Sequence, residues 1–222
     1  MKDELVIFNR PKSNISEDIR TIRTNLQFTS STEQSKVILV TSSIQGEGKS
    51  FVSSNLAAAF AQTGESTLLI DSDLRLGRVH KIFGLSNENG FSNLLVAQNV
   101  VDCADYIKKT AIPELDVITR GDVPPNPSEL LNSANAKNVI KFLRRKYNHI
   151  IFDGVPVNGL PDSLILAGIV DRVVLVTSVG SSTIDELNEA KKALEKIDAK
   201  IAGVVVNKTV KTKRGKYSNY YE

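Results

Sequence analysis

At 222 residues and 41% hydrophobic, the chain can bury one well-formed core and is short for two independent ones. A net charge of +3 excludes a surface built to coat nucleic acid, and the single cysteine, Cys103, excludes an internal disulfide and has no metal-ligand spacing around it. No apolar run approaches the roughly 20 residues that cross a bilayer, and Met1-Lys2-Asp3-Glu4 leads into no signal-type stretch. A reducing, cytoplasmic setting is therefore expected, with Cys103 as a packing residue.

In chain order, the first 35 residues are polar, contain Pro11 and then suggest a helix over Ser16–Phe28. On that helix Glu17, Arg20 and Arg23 have the spacing E-x-x-R-x-x-R, which places them on one face. A solvated charged face and a set of intersubunit ion pairs both fit that pattern. From Lys36 onward, strands are expected at Lys36–Thr41, Ser66–Asp71, Leu115–Thr119, His149–Asp153, Arg172–Ser178 and Lys200–Asn207. Several are unbroken Val/Ile/Leu runs, as in strands covered on both faces. Helices are expected between them, notably Ser128–Lys146 and Ile184–Ile197, the latter with Ile184, Leu187, Ala190, Leu194 and Ile197 on one side. Asn126 suits an N-cap, Pro127 the first helical position, and Glu129 the closing residue of a capping box. This alternation means an α/β fold with a mostly parallel central sheet flanked by helices on both faces. Three segments follow: 1–35, 36–207 and a tail, 208–222, without apolar periodicity.

Chemistry gathers at strand ends, where parallel sheets place their ligands. After the first strand, Ser43-Ile44-Gln45-Gly46-Glu47-Gly48-Lys49-Ser50 fits the phosphate-loop pattern G-x-x-x-x-G-K-[ST] except that Ser43 replaces the first glycine. Backbone N–H groups around Gly46 and Gly48 can cradle phosphate, Lys49 can reach it, and Ser50 can ligate Mg²⁺. A second strand ends in Asp71-Ser72-Asp73 and a third in Asp153. Ser50 plus Asp71 or Asp153 makes a partial oxygen shell for Mg²⁺, leaving Asp73 for proton transfer from an attacking hydroxyl. The tail carries Tyr217, Tyr220 and Tyr221 within five residues, after Lys208, Lys211, Lys213, Arg214 and Lys216. A solvated basic tail with incidental tyrosines and a cluster of phosphate acceptors both fit this composition, although large aromatic rings away from any core pattern are unusual.

On these motifs the chain resembles the bacterial tyrosine kinases of the capsule and exopolysaccharide type. These are P-loop proteins, distinct from kinases with H-R-D and D-F-G signatures, neither of which occurs here. The resemblance covers the loop Ser43–Ser50, the stretch Leu68–Arg75, the strand ending at Asp153, the segment Gly121–Leu131 with its P-P-N-P-S-E-L-L run, the E-x-x-R-x-x-R element and the tyrosine tail. It implies ATP/ADP and Mg²⁺ as cofactors. Ser43, Gln45, Gly46, Glu47, Gly48, Lys49, Ser50 and Phe51 would line the nucleotide, and Lys49, Asp71 and Asp73 would be catalytic. Ser50, Asp71 and Asp153 would surround the metal, and Tyr217, Tyr220 and Tyr221 would accept phosphate. It also implies a ring-shaped homo-oligomer built through Glu17, Arg20 and Arg23. A membrane-anchored activator with a cytoplasmic tail would hold the chain at the inner face of the membrane, and a cognate phosphotyrosine phosphatase would oppose it. One departure concerns the residues after Asp153, where such kinases commonly have Thr-Pro-Pro and this chain has Gly154-Val155-Pro156. The rival resemblance is to the septum-site and partition ATPase switches. Their loop carries a lysine where Ile44 stands here, and they lack a terminal tyrosine cluster.

Overall fold

The computed structural model describes residues 3–28, 36–97 and 103–209. The described residues form a seven-stranded sheet from β1 (Lys36–Ser42), β2 (Thr67–Asp71), β3 (Lys108–Lys109), β4 (Leu115–Ile118), β5 (His149–Pro156), β6 (Arg172–Ser178) and β7 (Ile201–Asn207). The spatial order is β3-β4-β2-β5-β1-β6-β7, parallel throughout except for β3, which pairs antiparallel with β4. The two-residue β3 lies outside every expected strand, since no apolar run marks it. Otherwise each expected strand is present to within a few residues. β5 runs on through Gly154 and Val155 to Pro156, three residues beyond the expected end.

The unbroken apolar runs are explained by a core on each face. Along β1, Val37 and Leu39 enter one cluster, and Ile38 and Val40 enter the other. The first cluster receives α5 (Phe91–Val96), α7 (Ala134–Leu143), α8 (Asp162–Ala167) and α9 (Ile184–Glu195). It also holds Cys103, fully buried as a packing residue. The second cluster is filled by α3 (Lys49–Ala61) and α4 (Val79–Phe83), and by the N-terminal segment through Leu5 and Ile7, with Ile19 and Leu26 of α2 (Asn14–Phe28).

Three expectations change. The single helix over Ser128–Lys146 is two: α6 (Pro127–Leu131) and α7, because the Ser133 hydroxyl accepts the Ala136 N–H at 3.1 Å and starts a new helix. Asn126 precedes α6 with Pro127 at its first position, but its side chain donates to Glu129 Oε2 at 3.2 Å instead of capping an N–H. On α9 the buried stripe narrows to Leu187, Ala190 and Leu194, while Ile184 is 78% exposed and Ile197, just past the helix, 39%.

Candidate active site

The loop between β1 and α3 turns on two glycines with left-handed backbone, Gly46 (φ 87°) and Gly48 (φ 97°). Gly48 is required twice, since a Cβ there would fall 2.1 Å from Asn207 Nδ2. The turn delivers Lys49, 8% exposed, to the first position of α3. Burial lowers the Lys49 pKa, and the charges of Asp153, Asp73 and Glu47 oppose that shift without cancelling it.

Asp71 and Asp153 lie side by side as register partners of β2 and β5. Both are buried. Asp71 Oδ2 accepts the Val79 N–H at 3.0 Å, while Asp71 Oδ1 and both Asp153 oxygens lack a well-formed hydrogen bond. Burial and the Asp153 charge push the Asp71 pKa well above the carboxylate range. Burial raises Asp153 to about 6, against the favourable influence of Ser50, Lys49 and Ser53. Two adjacent buried carboxylates with free oxygens beside the Ser50 hydroxyl match what a hard cation takes, oxygen donors completed by water. The residues present therefore fit Mg²⁺.

Asp73 is half-buried at the start of a tight turn, where its Oδ1 accepts the N–H groups of Arg75 (3.1 Å) and Leu76 (2.8 Å). Its Oδ2 is left without a hydrogen bond among the described residues. The turn is pinned from outside. Arg75 Nε donates to Asp162 Oδ2 at 3.0 Å, the Ser128 hydroxyl donates to Asp162 Oδ1 at 2.6 Å, and Arg120 Nη1 donates to the Arg75 carbonyl at 3.2 Å. Asp162 thus joins the P-P-N-P-S-E-L-L segment to the turn carrying Asp73. No sequence signal separated it from an ordinary first-turn acid of α8.

Two clefts open at this end of the sheet. One of about 280 Å³ is lined by the loop at Gly46, Gly48, Lys49 and Ser50, with Phe51 at its wall. The other, about 240 Å³, is lined by Ile44, Val155, Pro156 and Leu160. Lys49, Asp73 and Leu76 border both.

The remaining candidate residues of the loop and of α2 have positions and bonding partners of their own. The Glu47 side chain turns into the protein, where its Oε2 accepts the Ser43 hydroxyl at 2.8 Å. The residue in the first-glycine position therefore has a bonding role of its own. Gln45 is exposed at the rim of both clefts. On α2, Glu17 and Arg20 pair with each other, whereas Arg23 Nη1 donates to the Ala59 carbonyl at 3.1 Å and is drawn onto α3. Tyr217, Tyr220 and Tyr221 lie outside the described residues.

Gly154 is explained by its neighbours. A Cβ there would lie 2.8 Å from Leu39 Cδ1 and 2.8 Å from Ser163 Oγ. Ser163 and Thr41 both donate to the Val155 carbonyl, each at 2.6 Å. Gly154→Thr should therefore destabilise the fold by about 2 kcal/mol, the usual scale of overpacking. Adding Ser163→Ala should recover at least half of that loss in denaturant unfolding. Equal losses in both backgrounds would show that Ser163 is not what excludes the side chain.

A phosphate-binding loop, two strand-end carboxylates and a mostly parallel sheet define a P-loop protein of the nucleotide-binding type. A family model described as an AAA domain matches residues 35–209. The chain is 39% identical to the putative tyrosine-protein kinase CapB of Staphylococcus aureus over 98% of its own length and 94% of that protein. It is 38% identical to the tyrosine-protein kinase YwqD of Bacillus subtilis, over 99% and 92% of the two chains. The crystal structure of the chimerical protein CapA2B2 superposes with a TM-score of 0.89 at 39% identity, covering 95% of this chain and 92% of that one. The chain belongs to the bacterial tyrosine-protein kinases, and its homologues are of the capsule and exopolysaccharide type.

Proposed function

We propose that the protein transfers the γ-phosphate of ATP, with Mg²⁺, to tyrosine hydroxyls, its own Tyr217, Tyr220 and Tyr221 among them, and so regulates capsular or extracellular polysaccharide synthesis. The observation that carries this reading is the position of Lys49 and Asp73 on the wall shared by the two clefts. Phosphates held by the loop amides and Lys49 in one cleft then meet an acceptor hydroxyl entering from the other. Asp73 Oδ2 takes the phenolic proton as the tyrosine oxygen forms its bond to phosphorus and the bond to the departing ADP oxygen breaks. A tyrosine hydroxyl with an ordinary pKa near 10 needs such a base. Ser50, Asp71 and Asp153 would hold Mg²⁺, which when bound neutralises charge on the phosphate oxygens. Ile44, Val155, Pro156 and Leu160 supply apolar walls for the acceptor ring.

The same reading includes a homo-oligomeric ring using Glu17, Arg20 and Arg23, a membrane-anchored activator and a cognate phosphotyrosine phosphatase. Among the described residues no helix is long and apolar enough to cross a membrane, so attachment at the inner face of the membrane is assigned to the activator.

Incubation of the purified protein with Mg-ATP and the cytoplasmic segment of a candidate activator should place phosphate on Tyr217, Tyr220 or Tyr221, read by mass spectrometry. ATP turnover without phosphotyrosine would replace this reading with a switch ATPase of the septum-site type.

A further inference from the structure

Glu47 belongs to the phosphate-binding loop, yet it is fully buried and lines neither cleft. It accepts four hydrogen bonds in two pairs. Oε2 takes the Ser43 hydroxyl at 2.8 Å and the Ile44 N–H at 3.0 Å, both from the loop itself. Oε1 takes the Ser178 N–H at 3.2 Å, from the end of β6, and the Ser182 hydroxyl at 2.6 Å, from the turn between β6 and α9. Ser182 is also within 2.7 Å of Thr177 Oγ1. The loop backbone is held from the same side, with Asn207 Nδ2 donating to the Glu47 carbonyl at 2.9 Å and Lys208 Nζ to the Gly46 carbonyl at 2.8 Å.

We infer that Glu47 is a positioning residue for nucleotide binding: its carboxylate bridges the phosphate loop to the β6–α9 turn, and Ser182 acts on the loop through it. The inference rests on the nucleotide-binding reading of the loop and adds a part outside it. Two of the four donors are backbone N–H groups, one on each carboxylate oxygen, and neither can reorient. An amide side chain has one accepting oxygen and one donating NH₂. In Glu47→Gln, whichever way the amide turns, its NH₂ meets either the Ile44 or the Ser178 N–H, donor against donor. An isosteric change therefore releases one half of the bridge. Burial acts to raise the Glu47 pKa, but hydrogen bonds from Ser182, Ile44 and Ser43 outweigh it, and the group stays below its ordinary value. The bridge is thus a charged one, of the stronger kind.

Calorimetric titration with Mg-ADP and steady-state kinetics with ATP test this in the full chain. Glu47→Gln should weaken Mg-ADP by about tenfold and raise the ATP KM by the same factor, with kcat within about threefold, as expected when a hydrogen bond to a charged group is lost from ground-state binding. Ser182→Ala, outside the loop, should weaken Mg-ADP by about threefold alone and by almost nothing in the Glu47→Gln background, because neighbours acting through one another are not additive. Losses that multiply in the double variant, or unchanged affinity in Ser182→Ala, overturn the bridge while leaving nucleotide binding intact. A wild-type chain that binds no Mg-ADP overturns both.

Discussion

Lys49→Met should lower phosphotyrosine formation by about 10³-fold, the scale on which single preorganised charge contacts act in a transition state. Lys49 is the cation that the loop delivers to the wall between the clefts, beside Asp73 and Asp153. Methionine keeps most of the apolar stem and removes the ammonium. Because burial already disfavours the charged lysine, the thermal midpoint of the nucleotide-free variant should not fall. Phosphosite mass spectrometry beside a melting curve separates the two effects. Labelling kept within threefold of wild type would remove Lys49 from the mechanism.

The second large effect has opposite signs for stability and function. Asp153→Asn should raise the melting temperature of the nucleotide-free protein at pH 8 while removing the added stabilisation by Mg-nucleotide. The folded-state pKa of Asp153 is raised to about 6 and that of Asp71 well above its ordinary value, both chiefly by burial. The native state then holds more protons than the unfolded chain in the window above the unfolded carboxylate value. Stability accordingly falls as pH rises from about 4 through 6 in the nucleotide-free protein. Asparagine cannot ionise, so the variant escapes that loss, worth about 3 kcal/mol for a shift of this size in a fully buried group. That corresponds to about 6–12 °C in a chain of this length. Scanning calorimetry at pH 5 and pH 8, with and without Mg-ADP, reads both halves. A lower melting temperature at pH 8 with an unchanged Mg-ADP response would show that the carboxylate pair is not a cation site.

Much of the candidate site is legible in the sequence because its chemistry sits where strand meets loop. Lys49, Asp71, Asp73 and Asp153 each follow a buried apolar run, and parallel topology brings such ends to one edge. What was not legible is where loop side chains point. Glu47 and Arg23 occupy motif positions, yet one bonds inward to Ser178 and Ser182 and the other to the α3 carbonyl of Ala59. Asp162 reads in sequence as an ordinary helix-start acid, and only the fold sets it against Arg75 and Ser128. The break between α6 and α7 was hidden for a different reason. Apolar periodicity runs on across Ser133, and a local cap outcompetes it.

The sequence alone determined the alternating α/β order, because strands with two buried faces and helices with one must be written as different apolar periods. It also determined the phosphate loop, whose left-handed turns at Gly46 and Gly48 require glycine wherever the chain goes next. The tertiary structure decided which residues share a wall and which share a bond. Lys49 with Asp73, Glu47 with Ser182, and Gly154 with Leu39 are pairings across long stretches of chain. Such contacts depend on distance in space after packing, and no local pattern of residues encodes that distance.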